Sequence, residues 1–145
     1  EMEKDKALDG NTNGGQVDAF RHAYWMALLA QKIKPKKAYK LGLAHELANK
    51  LDYKKLRLEE GMLPDSMSSV MDISNNEIGV AIGCNYASLT ETELREFVKK
   101  EILKGKMKII KKDAKGNFLD CGGKVIDMNI WKGKWEIPKC LVSSN

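Results

Sequence analysis

Three short polar groups interrupt helical stretches that are otherwise apolar. The first lies in GGQVDAFRHAYWMALLAQ, residues 14–31, where Asp18, Arg21 and His22 fall within about one turn. Asp18 and His22 are four residues apart, so a helix puts them on one face, with Arg21 beside it. The second is GLAHELA, which sets His45 and Glu46 inside an apolar turn. The third is VMDISNNEIG, where Asp72, Asn75, Asn76 and Gly79 recur at i, i+3, i+4 and i+7. A core-facing stripe normally carries apolar side chains at that spacing. Acids and imidazoles are seldom buried unless they are paired or bind a metal. Both histidines of the chain fall in these groups.

Gathered in the core of a bundle, the three groups would make a cation site. Asp18, Asp72, Asn75 and Asn76 offer the hard oxygens that calcium, magnesium and manganese take. His22, His45 and Glu46 are ligand types that zinc takes. The set is mixed, so the expected cofactor is a divalent metal ion with Ca, Mg, Mn and Zn all open. A carboxylate or histidine left outside the coordination shell would serve as general base toward a metal-bound water, with Glu46 orienting a histidine or binding metal. The guanidinium of Arg21 suits a phosphate oxygen. The expected catalytic residues are therefore His22, His45, Glu46 and Arg21, and the expected metal holders Asp18, Asp72, Asn75 and Asn76. The competing structural reading makes Asp18 and Arg21 a brace for the helix and the histidines and asparagines hydrogen-bonded core residues. HELAN is not H-E-x-x-H, because Asn49 stands where the second histidine would be, so a zincin site is excluded.

The elements that must hold these groups are mostly helices. Residues 1–15 are polar and end in LDGNTNGG, which predicts an N-terminal loop. Helix one is expected over about 16–33. Pro35 then opens helix two, about 36–51, since proline is favoured in a first turn; Ala38, Leu41, Gly42, His45 and Asn49 recur there at helical spacing. RLEEGMLP breaks the chain. Asp65 or Ser66 caps helix three, which continues to about 82. Thr90 with Glu93 forms a capping box, and Leu94, Phe97, Val98 and Ile102 form the stripe of helix four. From Lys106 short β-like runs surround DAKGN, which punctuates them as a hairpin turn does. The expected fold class is mostly α: a four-helix core over 16–105 and a small C-terminal β-hairpin extension over 106–145. Trp131 and Trp135 are expected to pack on that extension.

The whole of 1–145 reads as one domain by length. The 25 Lys and Arg outnumber 20 Asp and Glu, giving a net charge of +5. An anionic or phosphorylated substrate fits that balance, and KIKPKKAYK and KGKMKIIKK read as solvated faces or as an electrostatic guide to such a partner. There is no clear nucleic-acid signature, since no basic stripe carries interleaved exposed aromatics. No run approaches the roughly 18–20 apolar residues of a membrane span. The first residue is Glu1, and a trimmed chain whose missing piece was an export signal is one expectation. The three cysteines include no C-x-x-C pair, so a cysteine zinc site is not expected. Cys121 and Cys140 flank the β-like tail and are placed to pair, but three free thiols is the simpler expectation.

NGGQVDAFRHAYW, AHE and MDISNNEIG together resemble a bacterial domain family of unassigned function, over roughly residues 13–80. Its pattern is N-G-x-x-D-A-F-R-H-A-Y-W-N-A-L, then A-H-E, then M-D-L-H-N-N-x-x-G. Met26 departs from the usual Asn and Ser74 from the usual His, so a helix-three histidine ligand would be missing here. Members occur in secreted proteins and at the ends of polymorphic-toxin-like chains, which implies a secreted or periplasmic location. The order His22, His45–Glu46, Asp72 is chemically similar to the H…HD…D set of helical phosphohydrolases, with Glu46 for the acid. More distantly, the acids on two helices are similar to those of helical antibacterial toxins that hydrolyse a lipid-linked cell-wall precursor. The expected activity is metal-dependent hydrolysis of a phosphoester or lipid-linked pyrophosphate. The alternative is a non-enzymatic binding domain of a secreted protein.

Overall fold

The computed structural model describes residues 6–55 and 63–145. Most of the expected RLEEGMLP break lies outside the described residues; Leu63 and Pro64, at its end, lead directly into a helix cap.

Helix α1, Gln16–Lys32, begins where Asp9 reaches forward. Its carboxylate accepts the Gln16 N–H at 2.9 Å, while the Gln16 side-chain oxygen accepts the Asp9 N–H at 3.0 Å. Helix α2, Pro35–Lys54, starts on proline as expected and runs three residues further than the sequence suggested. Asp65 caps helix α3, Ser66–Asn85, by accepting from the N–H groups of Met67 and Ser68. The Thr90–Glu93 capping box opens helix α4, Glu91–Leu103. Strand β1, Lys108–Ile110, a short helix α5, Met128–Trp131, and strand β2, Leu141–Ser143, complete the chain.

The main apolar cluster lies where α1 meets α3 and α4. Phe20, Ala23 and Ala27 pack with Ile82, Leu94, Val98 and Ile102. The α1–α3 crossing is unusually close, and small residues make it so. A Cβ on Gly79 would run into the Ala23 carbonyl oxygen, and one on Gly83 into that of Ala27. Glycines at this spacing let two helix backbones approach until only short side chains fit between them.

The tail is fastened to the helices by polar contacts. β1 and β2 pair antiparallel, Ile109 opposite Val142. The DAKGN turn exists, but a single bridge, Lys112 with Phe118, closes it instead of a ladder, and a second single bridge, Leu119 with Val125, closes the next turn. The two-stranded sheet joins segments some thirty residues apart, and the Cys121–Cys140 disulfide ties the intervening segment to the residue before β2. That bond corrects the expectation of three free thiols; among the described residues only Cys84 is free, and it is exposed. The two cysteines are 19 positions apart in sequence, and their Cα atoms lie 4.8 Å apart. Ser144 donates to the Ile102 carbonyl at 2.7 Å, and Gln16 donates to the Ser144 carbonyl at 2.7 Å.

Candidate metal centre

Asp18 and His22 lie one turn apart on α1, and the tight α1–α3 crossing brings Asp72 against them. His22 Nε2 sits 3.3 Å from Asp72 Oδ1 and 3.7 Å from Asp18 Oδ1. One donor atom from each of the three lies within 4.8 Å of the others. Oxygen and nitrogen ligands about 2.0–2.6 Å from an ion are separated by roughly 3–5 Å, so the spacing fits a divalent cation. All three residues are buried.

The surrounding contacts orient this set. Asn76 Oδ1 faces His22 Nδ1 at 3.2 Å. With that oxygen as acceptor, Nδ1 carries the proton and Nε2 turns its lone pair toward the two carboxylates. Burial pushes the His22 pKa below its ordinary value, with the Asp18 charge opposing and Arg21 reinforcing the shift. The neutral imidazole is the form that binds metal. Asp18 is fixed twice: Arg21 Nη2 donates to Oδ1 at 2.7 Å and the Gly14 N–H to Oδ2 at 2.7 Å. Gly14 holds a positive φ of 76°, and the tight turn it makes aims that N–H back at the helix. Gly42 of α2 leaves room for Asn76, since a Cβ there would lie 2.9 Å from Asn76 Nδ2.

The set opens into a cleft of about 40 Å³. One water needs about 10–15 Å³, so the space takes a cation with a few waters or a small anionic group. Its walls are Thr12 and Asn13 of the N-terminal loop, Leu63 and Pro64, and Asp65 and Ser68 at the start of α3. Arg21, with half its side chain exposed, stands at the rim. Asp65 is neutralised by Lys139, whose Nζ lies 2.6 Å from Oδ2 with both side chains buried. The tail therefore supplies a cation to the cleft wall.

The other expected site residues are placed differently. Asn75 is buried one residue from Asn76 but turns to β1, donating to the Lys108 carbonyl at 2.9 Å and accepting the Lys108 N–H at 2.8 Å. Both amide atoms of Asn75 are thus engaged by the β1 backbone. His45 is exposed, its ring 6.2 Å from that of His22 and 6.4 Å from that of Trp25. Glu46 is buried and accepts from Asn49 Nδ2 at 3.3 Å; it is not in the Asp18–His22–Asp72 set. Sequence reasoning missed Asp65 and Ser68 as cleft walls. Their signal was present, because Asp65, Ser68, Asp72, Asn76 and Gly79 continue one helical stripe upstream of the part that was read.

A mostly helical chain with a buried Asp–His–Asp set at a close helix crossing is thus the class of protein defined here. The sequence matches the family model described as a domain of unknown function, DUF6973, over residues 2–106, and the chain belongs to that family. The match ends at Lys106, where the β-bearing tail begins. No curated protein and no solved structure matches the chain.

Proposed function

We propose that the cleft is the divalent-metal site of a hydrolase acting on a phosphoester or pyrophosphate, lipid-linked forms included, and that the domain works as an exported antibacterial effector. The observation that carries the reading is the convergence of Asp18, His22 and Asp72 donor atoms within 4.8 Å at the floor of an open cleft. A cation bound there supplies Lewis acidity toward a phosphoryl oxygen and lowers the pKa of a water. Asp18, His22 and Asp72 hold it. Asn76 fixes the imidazole tautomer, a role that outer-shell partners of metal-binding histidines usually fill. Arg21 both orients Asp18 and meets a phosphate oxygen at the rim. His45, exposed beside His22, is the group we assign to proton transfer. The Cys121–Cys140 bond supports export, since disulfides persist in oxidising compartments.

The test is phenol release from aryl phosphate mono- and diesters and phosphate release from a polyprenyl pyrophosphate, with Ca, Mg, Mn or Zn added. The reading expects metal-dependent turnover lost in Asp72→Asn and His22→Ala, and reduced in Arg21→Gln with the fold intact. Turnover equal in wild type and Asp72→Asn would place the chemistry elsewhere.

A second reading, a non-enzymatic binding domain, is favoured by one observation: both Asp18 oxygens already accept hydrogen bonds within the chain. In that case the cluster is an internal brace, and substitution of Asp72 melts the protein instead of silencing it.

A further inference from the structure

Helix α2 is built inside out. It turns Ala38, Gly42, Glu46 and Asn49 toward the protein. It leaves Leu41, Leu47 and Leu51 at 48%, 61% and 47% exposure, with Leu43 exposed beside them. At 3.6 residues per turn these leucines, with exposed Ala44 and Ala48 between them, cover the outward side of the helix. Trp25 of α1, also exposed, extends the patch past His45, whose ring lies 6.4 Å from the indole. Single exposed leucines are ordinary, but a contiguous set on one helix marks a contact surface.

The charges around the patch say what it contacts. Lys36, Lys37 and Lys40 are exposed at the start of the helix, and Lys54 and Lys55 at its end. Between Lys32 and Lys55 there is no exposed acid: Glu46 is buried and Asp52 half-buried. Leucines in the middle, amines at both ends and a tryptophan alongside match a helix lying in a headgroup layer. There the amines meet lipid phosphates while the leucines reach the acyl boundary. No helix among the described residues is long and apolar enough to cross a membrane, so the contact is with a surface. A second copy of the chain is disfavoured, because a symmetric contact through this face would set lysines against lysines.

We propose that the outward face of α2, with Trp25, docks on an anionic lipid bilayer. The docking does not depend on the metal-hydrolase reading. Where that reading also holds, Arg21, one turn before Trp25 on α1, puts the cleft rim at the level of lipid-borne phosphates.

The full chain is sedimented with vesicles of phosphatidylcholine alone or mixed equally with phosphatidylglycerol, in EDTA. Binding to the mixed vesicles is expected, weak or absent on phosphatidylcholine alone. It should fall by more than about tenfold in Leu47→Glu/Leu51→Glu and in the milder Leu47→Ser/Leu51→Ser. In Lys36→Glu/Lys37→Glu the loss should be largest at low salt. These positions are exposed, so unchanged melting curves are expected to accompany the losses. Absence of binding to mixed vesicles, or binding indifferent to both leucine pairs, would overturn the proposal. So would a dimer, seen by light scattering, that the leucine variants dissolve. Because EDTA is present throughout, a failed metal site leaves the vesicle result standing, and a failed vesicle result leaves the metal site untouched.

Discussion

Helix α1 meets α4 and α3 by opposite means. Toward α4 the contact is apolar: Phe20 packs with Leu94, Val98 and Ile102, the last three fully buried. Toward α3 the contact is made by Ala23 and Ala27 on Gly79 and Gly83, and beyond them by Asp18 and His22 against Asp72 and Asn76. The first seam is what stability asks for, since each large side chain withdrawn from water contributes roughly 1.5–3 kcal/mol. The second buries carboxylates and an imidazole, which costs free energy unless they are matched or ligate an ion. The glycines explain how a side chain as short as aspartate reaches across to a histidine at 3.3 Å. The difference teaches that one side of α1 packs large apolar side chains while the other closes on small residues and buries a polar set whose desolvation must be offset by its own contacts or by a ligand.

The sharpest way to break the comparison is Gly79→Val. The added atoms meet the Ala23 backbone, which cannot yield as a flexible side chain would. The loss should exceed the roughly 1–3 kcal/mol usual for overpacking, and thermal melting should show a broad or absent transition. Leu94→Ala attacks the other seam. It should cost about 2–4 kcal/mol in denaturant unfolding yet leave the metal response of the folded fraction unchanged, because Leu94 is buried in the apolar cluster and does not line the cleft.

Asp72→Asn separates the two roles most cleanly. An asparagine N–H facing His22 Nε2 replaces a carboxylate facing a lone pair, so the metal-free protein should gain about 1 kcal/mol. Stabilisation by added divalent ions should vanish. A loss of stability would make the cluster a structural ion pair. Thr90→Ala is the smallest change, a loss of about 0.5–1 kcal/mol with the cleft unaffected. The Thr90 backbone and hydroxyl contacts hold the Glu93 carboxyl below its ordinary value. Its contribution is therefore full above the ordinary carboxylate range and is lost as pH falls through the lowered value. Thr90→Ala should flatten that part of an acid-unfolding curve.

Local signals carried much of this structure in the sequence. Pro35, Asp65 and the Thr90–Glu93 pair mark helix starts because capping chemistry acts within one turn. Asp18 with His22 was legible for the same reason, as was the polar stripe that ends in Gly79. What failed depends on partners distant in sequence. Asn75 and Asn76 are adjacent residues of one polar stripe, and only the position of β1 decides that Asn75 serves Lys108 while Asn76 serves His22. Lys139 reaches Asp65 across 74 residues, which no local pattern announces. In α2, helical spacing grouped Leu41 and His45 with Ala38, Gly42 and Asn49. The structure buries Ala38, Gly42 and Asn49, and Glu46 with them, and leaves Leu41 and His45 outside. Periodicity finds a face, but the neighbouring helix chooses which face turns inward.

The most direct measurement is the metal content of protein purified without chelator, paired with melting curves in the presence and absence of EDTA. The account predicts one equivalent of a divalent metal, a lower melting temperature in EDTA, and neither effect in Asp72→Asn. No metal, no response to EDTA and no stabilisation by added calcium, magnesium, manganese or zinc would contradict it, and would make Asp18, His22 and Asp72 internal braces.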